Sequence, residues 1–273
     1  GVFGSVVIAT AASVSLRDVA TGSLLWTTPA AVVPSVGGLN AIKGYPAAAP
    51  TTAYVLASPP TGFELQLMAI DIATGNVRFS LPNANYLPTA FNEGAGVLVV
   101  PGLSPTTFGP LVLGVNATSG AIVWSVSTQL YVTADGDVAV AWKPKPLQRQ
   151  NGNSTLLFID VATGNVFATA SYQLQRTNFE YSGSLMRLAN GKRSLVLANG
   201  HELAAIAVAD GSVVWSKALP SNVAGGCGIV GSQAVPHSNT IVIHGCAVNL
   251  TNVNGTLFGT APVSVYGAAE GTP

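Results

Sequence analysis

One six-residue turn punctuates this chain and limits what it can fold into. DVATGS stands at 18–23, DIATGN at 71–76 and DVATGN at 160–165, each between two short apolar runs. Anchored on its glycine, the pattern extends to Gly22, Gly75, Gly120, Gly164, Gly211 and Gly255, at spacings of 53, 45, 44, 47 and 44 residues. A repeat of that length built from strand-like segments matches one blade of a β-propeller, a small antiparallel sheet that needs neighbours to bury its faces.

The flanking positions keep the register. Four residues before the glycine stand Asp18, Asp71, Asn116, Asp160, Ala207 and Thr251. Two after it stand Leu24, Val77, Ile122, Val166, Val213 and Leu257, and four after it Trp26, Phe79, Trp124, Ala168, Trp215 and Gly259. Three of the four tryptophans therefore share one position. Asp or Asn at the first position accepts a hydrogen bond from a backbone N–H two residues on, and glycine supplies the positive φ of a tight hairpin. Asp18, Asp71, Asp160 and the turn residue Asp210 are accordingly read as structural, not as acids and bases.

Each unit parses into short strands. The fourth gives LYVTAD, VAVAWK, TLLFIDV and NVFATAS; the first gives only SVVIAT, VSLRDV and LLWTT. A leftover segment, PVSVYGA at 262–268, follows the sixth turn. An open sheet edge invites pairing with other chains. The expected fold is therefore all-β: one domain over residues 1–273, a propeller of six four-stranded blades, with the first blade completed by the C-terminal strand.

The pattern A-x-D-x-x-T-G-x-x-x-W, seen in Ala69 to Gly75 and in Asp18 to Trp26, resembles the PQQ-type (quinoprotein alcohol-dehydrogenase-like) propeller repeat over nearly the whole chain. The resemblance implies that the aromatic docks on the neighbouring blade near its turn glycine. Trp26, Phe79, Trp124 and Trp215 match that position. Ala168 and Gly259 depart from it, which implies a weaker girdle around blades four and six. Quinoprotein dehydrogenases resemble an eight-bladed version with an adjacent Cys–Cys disulfide over the cofactor and a Glu/Asn/Asp calcium site. This sequence has neither, so no catalytic, cofactor-binding or metal residue is assigned, and the reading leans away from an enzyme while leaving that question open.

Composition narrows the partners. Only 8% of residues are charged and the formal net charge is zero, which argues against nucleic acid and offers little protection from self-association. No run reaches the ~18 apolar residues of a membrane span. The apolar opening GVFGSVVIATAASVSL reads as strand, not signal peptide, and a first residue of Gly points to a processed or truncated form. Four sequons, at Asn116, Asn153, Asn249 and Asn254, point to a secreted protein carrying N-linked glycans. Cys227 and Cys246 flank a hairpin around Pro236–Asn239. They read either as a cross-strand disulfide or as two buried thiols. His237 and His244 nearby follow no zinc spacing.

Other candidates carry bland readings. Asp135-Gly136-Asp137 is a hairpin signal more than a calcium cage. His201-Glu202 are adjacent residues, whose side chains point apart on a strand. Long or proline-rich connections at Pro29–Pro46, Ser58–Gly62, Pro101–Pro105 and Lys143–Arg149 are where binding is expected on a rigid scaffold. Ser-Pro-Pro and Ala-Pro contexts there resemble hydroxyproline O-glycosylation sites of algal and plant wall proteins. The sequence thus suggests a secreted, glycosylated structural or interaction module, a protomer of an extracellular filament, coat or wall, joined to protein partners or to itself by strand addition. The alternatives are a quinoprotein-like oxidoreductase and a carbohydrate-binding propeller, the latter dependent on exposed aromatics such as Trp142.

Overall fold

The repeated turns build antiparallel hairpins. The computed structural model describes residues 5–10, 12–30, 51–58, 65–84, 86–104, 106–143, 154–172, 182–187, 192–199, 202–218, 229–234, 240–245, 251–253, 256–258 and 263–267. All regular structure among them is strand. Strands β1 (Ser5–Ala9), β2 (Ser13–Asp18) and β3 (Leu24–Pro29) form one sheet, and β4 (Thr52–Ala57), β5 (Gln66–Asp71) and β6 (Val77–Pro82) a second. Four-stranded sheets follow: β7 (Ala90–Asn92), β8 (Val97–Leu103), β9 (Pro110–Asn116) and β10 (Ile122–Ser127); then β11 (Leu130–Ala134), β12 (Val138–Trp142), β13 (Ser154–Asp160) and β14 (Val166–Tyr172); then β15 (Ser182–Arg187), β16 (Arg193–Asn199), β17 (Glu202–Ala207) and β18 (Val213–Ala218). Each sheet runs in chain order, the meander of a propeller blade.

The C-terminal part departs from expectation. After β19 (Ile229–Ala234) and β20 (Thr240–Gly245), β21 (Thr251–Val253) and β22 (Thr256–Phe258) form a two-stranded sheet of their own. The last strand, β23 (Val263–Gly267), pairs antiparallel with β20, Thr240 opposite Gly267. It does not complete the first sheet, where β1 pairs with β2 alone among the described strands. The sequence explains the difference: Thr251 replaces the turn carboxylate and Gly259 replaces the docking aromatic. The sixth repeat lacks what fixes the other hairpins, and the apolar β23 takes the place beside β20.

Five turns share one geometry. At each, the N–H of the glycine donates to the carbonyl four residues back, from Gly22 to Asp18, Gly75 to Asp71, Gly120 to Asn116, Gly164 to Asp160 and Gly211 to Ala207, at 2.8–2.9 Å. All five glycines have φ between 69° and 75°, a left-handed conformation that costs a residue with Cβ about 1–2 kcal/mol. The expected bond from the N–H two residues on is present at Asn116, whose Oδ1 accepts from Thr118 N at 3.0 Å; the bond common to four turns reaches one residue further. Asp18, Asp71 and Asp160 each accept at Oδ1 from the N–H and the hydroxyl of the threonine three residues later, and Asn116 does the same with Ser119. The fifth turn starts with Ala207 and uses Asp210 instead, which accepts from Ser212 N and Oγ at 2.9 and 2.7 Å.

Two compact units divide the chain. The first comprises residues 1–139 with 160–165, and its sheets stack face to face. Val14, Ala53, Val55, Ala57, Met68 and Ile70 form one buried cluster. Tyr54, Leu56, Leu67, Ala69, Phe79, Leu81, Leu98, Val100, Leu113 and Val115 form part of the next. Alternate residues of β4 thus enter different clusters, which is why the strand reads as an unbroken apolar run. Each fully buried Leu or Val contributes roughly 1.5–3 kcal/mol relative to exposure.

The second unit comprises 140–159 with 166–273. In it Leu195, Val196, Leu197, Ala204, Ala205 and Ile206 of β16 and β17 are buried. Ser194 is also fully buried, and its hydroxyl has no hydrogen-bond partner among the described residues. A buried orphan hydroxyl is destabilising. Ser194→Ala is therefore expected to raise stability by about 1 kcal/mol, read as a higher urea midpoint with an unchanged slope.

Candidate functional site

In the first three repeats the aromatic at the docking position meets the turn glycine of the next repeat. A Cβ on Gly75 would lie 2.8 Å from Trp26 Cδ2, one on Gly120 2.8 Å from Phe79 Cβ, and one on Gly164 2.6 Å from Trp124 Cβ. The indoles are also pinned through their nitrogens. Trp26 Nε1 donates to Ile72 O at 2.7 Å and Trp124 Nε1 to Val161 O at 2.9 Å, the same turn position in both cases. Trp124 further covers Gly114, its cross-strand partner on β9, where a Cβ would lie 2.5 Å from Cδ2.

The fourth repeat makes this contact differently. Ala168 stands opposite the fully buried Phe158, inverting the large–small order of Trp124 over Gly114. With no ring at Ala168, Gly211 comes directly against backbone, and a Cβ there would lie 2.8 Å from Thr169 C. Trp215 of the fifth repeat pairs with Ala205.

The turn carboxylates are committed to these hairpins. Arg78 Nε donates to Asp71 Oδ2 at 3.1 Å, its Nη2 bonds the same oxygen, and its Nη1 reaches Thr52 Oγ1 at 2.9 Å. Arg78, followed by the Thr74 amide, holds the Asp71 carboxyl at about 2, below its ordinary 3.8. Asp18 is lowered by the Thr21 amide, and Asp210 by the Ser212 hydroxyl. Because the folded-state value of Asp71 is depressed, its contribution is present above pH 3.8 and is lost as pH falls through about 2. Asp71→Asn, which keeps an Oδ1 acceptor as Asn116 does, is expected to flatten the acid limb of the stability–pH curve. Urea midpoints between pH about 5 and about 2 measure it.

Asp135-Gly136-Asp137 joins β11 to β12. Asp135 Oδ1 accepts from the amides of Asp137 and Val138 at 3.0 and 2.9 Å. Gly136 O accepts from Asn92 Nδ2 at 2.7 Å and Asp137 O from Val161 N at 2.9 Å. The hairpin is thus tied to two neighbouring connections. Among the described residues, no three His, Cys, Asp or Glu side chains come together where they could hold a metal ion. The turn acids Asp18, Asp71 and Asp160 are engaged as acceptors within their own hairpins.

Asn116 ends β9. Its Oδ1 serves the turn, leaving Nδ2, the atom a glycan would use, outside the turn's bonds. Asn153, Asn249, Asn254, Cys227, Cys246, Gly255, His201, His237 and residues 31–46, 59–62 and 144–149 lie outside the described residues. Trp142, the aromatic left over for ligand binding, is 2% exposed and belongs to the core. The exposed apolar residues lie elsewhere. In all five outer strands the register shifts just after the turn, leaving one residue without a cross-strand partner. Leu24, Leu25, Val77, Ile122, Val123, Val166, Phe167 and Val213 all stand exposed at these strand starts. The residue two after each turn glycine is apolar in every repeat, and in the first five repeats the hairpin turns it to solvent.

Residues 10–187 match the PQQ-type repeat family described as "Outer membrane protein assembly factor BamB", more than half of the 273 residues. The chain belongs to this family. No curated protein matches the chain significantly in sequence. Among solved structures, the PQQ-type propeller is similar to a europium-containing methanol dehydrogenase, with TM-score 0.52 and 13% identity over 98% of this chain and 65% of that one. It is also similar to the Dos1 propeller (TM-score 0.52, 12% identity, 94% of this chain and 61% of that) and to the dihydro-heme d1 dehydrogenase NirN (0.51, 12%, 89% and 49%). The chain spans less than two thirds of the length of each. Identities this low establish a shared fold, and fold alone does not carry activity.

Proposed function

We propose that this PQQ-type propeller is a secreted, N-glycosylated structural or interaction module that associates with copies of itself through its outer strands, as a protomer of an extracellular filament, coat or wall. The observation that carries this reading is the character of those strands. β10 and β14 form sheet edges among the described strands, begin with exposed Ile122-Val123 and Val166-Phe167, and contain no charge and no proline. Soluble proteins guard sheet edges with lysine, proline or cover, because unpaired N–H and C=O groups template pairing with another chain. The other outer strands carry such guards, Pro29 in β3, Arg78 and Pro82 in β6 and Lys217 in β18. Zero net charge removes long-range repulsion between copies. The four sequons support the secreted, glycosylated part, and glycans at them would keep the uncharged remainder of the surface soluble.

Sedimentation velocity on the purified protein, from low to high micromolar, is the test. Species larger than the glycosylated monomer, increasing with concentration, are expected. A monomer throughout would overturn the self-association.

A further inference from the structure

Two connections of the third repeat stand apart from the rest. Among the described residues only Asn83 (φ 59°) and Phe108 (φ 54°) are non-glycine residues with positive φ. They lie on the β6–β7 and β8–β9 connections, joined at their roots by Leu103 N donating to Asn83 O at 3.2 Å. Each loop displays an aromatic ring: Tyr86 is 58% exposed and Phe108 65%. A bulky aromatic in the left-handed region is a true outlier, and such strain collects at binding and switch sites.

The Phe108 loop is held in that shape by its own bonds. Phe108 N donates to Ser104 O at 2.9 Å and Ser104 N to Gly109 O at 2.8 Å. Ser104 Oγ accepts from the amides of Thr106 and Thr107 at 3.4 and 3.2 Å. The ring is therefore carried outward on a fixed hairpin. Tyr131, by contrast, is engaged, its hydroxyl donating to Thr89 Oγ1 at 2.8 Å.

The surroundings define the ligand's chemistry. From residue 79 to 134 the sequence holds a single charge, Glu93. Glu93 lies in the β7–β8 turn, the opposite end of the sheet from the β8–β9 loop that carries Phe108. The polar residues described on the same two connections are hydroxyls and amides: Asn83, Ser104, Thr106 and Thr107. Exposed rings offer flat apolar faces to the C–H face of a sugar, and hydroxyls and amides suit its equatorial hydroxyls; these two connections themselves carry no charged residue to pair with an ionic ligand.

We propose that Tyr86 and Phe108 form a binding platform for a neutral glycan. This inference does not depend on self-association, since the platform uses loops and the proposed contact uses strand starts. The test is calorimetric titration of the full chain with a panel of neutral oligosaccharides (β-glucan, mannan, galactan and arabinan fragments), beside Tyr86→Ala and Phe108→Gly. Glycine occupies the left-handed region freely, so Phe108→Gly removes the ring without straining the loop, and circular dichroism verifies its fold. At least one fragment is expected to bind, with affinity insensitive to salt, and each variant should weaken it at least about tenfold. No binding of any fragment up to about 10 mM would overturn the proposal. Equal binding by wild type and both variants would also overturn it. So would loss of self-association without loss of glycan binding, which would assign the loops to a protein contact.

Discussion

Gly164→Ala is expected to be among the most damaging single changes available to this chain, while Gly22→Ala is expected to be mild, although both glycines sit in the same turn at φ 75° and 69°. A methyl group on Gly22 meets no atom within 4 Å. Its cost is the left-handed backbone alone, about 1–2 kcal/mol. On Gly164 the methyl would also press on the Trp124 indole, 2.6 Å from its Cβ. The ring cannot retreat, because its other side covers Gly114 and its nitrogen is bonded to Val161 O at 2.9 Å. Overpacking of that kind adds about 1–3 kcal/mol, for a total of roughly 2–5. Trp124→Ala should cost about 3–5 kcal/mol by leaving a cavity. In the Trp124→Ala background, Gly164→Ala should fall to the cost of Gly22→Ala, because the clash has gone. Chemical denaturation of the four variants and the parent measures every quantity. Equal costs at Gly22 and Gly164 would show that the aromatic docking contributes nothing to the join between repeats.

A single lysine on an outer strand should separate associated copies. Val123 and Phe167 are 51% and 46% exposed, so Val123→Lys and Phe167→Lys leave the core untouched and should change monomer stability by no more than about 0.5 kcal/mol. In an edge-to-edge contact each lysine would be desolvated without a partner and brought near other lysines, which costs several kcal/mol. The dissociation constant should therefore rise by at least about 100-fold for a contact through the substituted strand. Val19→Lys is the control. Val19 is 62% exposed but lies in a turn instead of an outer strand, so the same added charge should leave association nearly unchanged. If all three substitutions acted alike, net charge and not the strand edge would be responsible.

Much of the fold is legible in the sequence because the turn chemistry is local. Asp, Thr and Gly at fixed offsets close a hairpin from within six residues, and the aromatic four positions later follows from the same register. What could not be read depends on the third dimension or on a missing local signal. Val263–Gly267 has strand character whichever neighbour it joins, and only the weakness of the sixth turn hints that β20 would take it. Trp142 looks available once three other tryptophans have docking roles, yet β12 is buried along its full length. The apolar residue two after each glycine resembles core in an alignment. A register shift at the strand start, common to all five hairpins, places it in solvent. Phe108 before Gly109 carries no sequence mark of its left-handed backbone, since nothing local distinguishes it from an ordinary loop aromatic.

The most direct test of the account is negative-stain electron microscopy of the native protein at micromolar concentration, beside Val123→Lys and Phe167→Lys. Wild-type particles are predicted to be joined edge to edge into rows or clusters that at least one of the lysine variants reduces to single particles. Dispersed single particles in the wild type, indistinguishable from both variants, would contradict it.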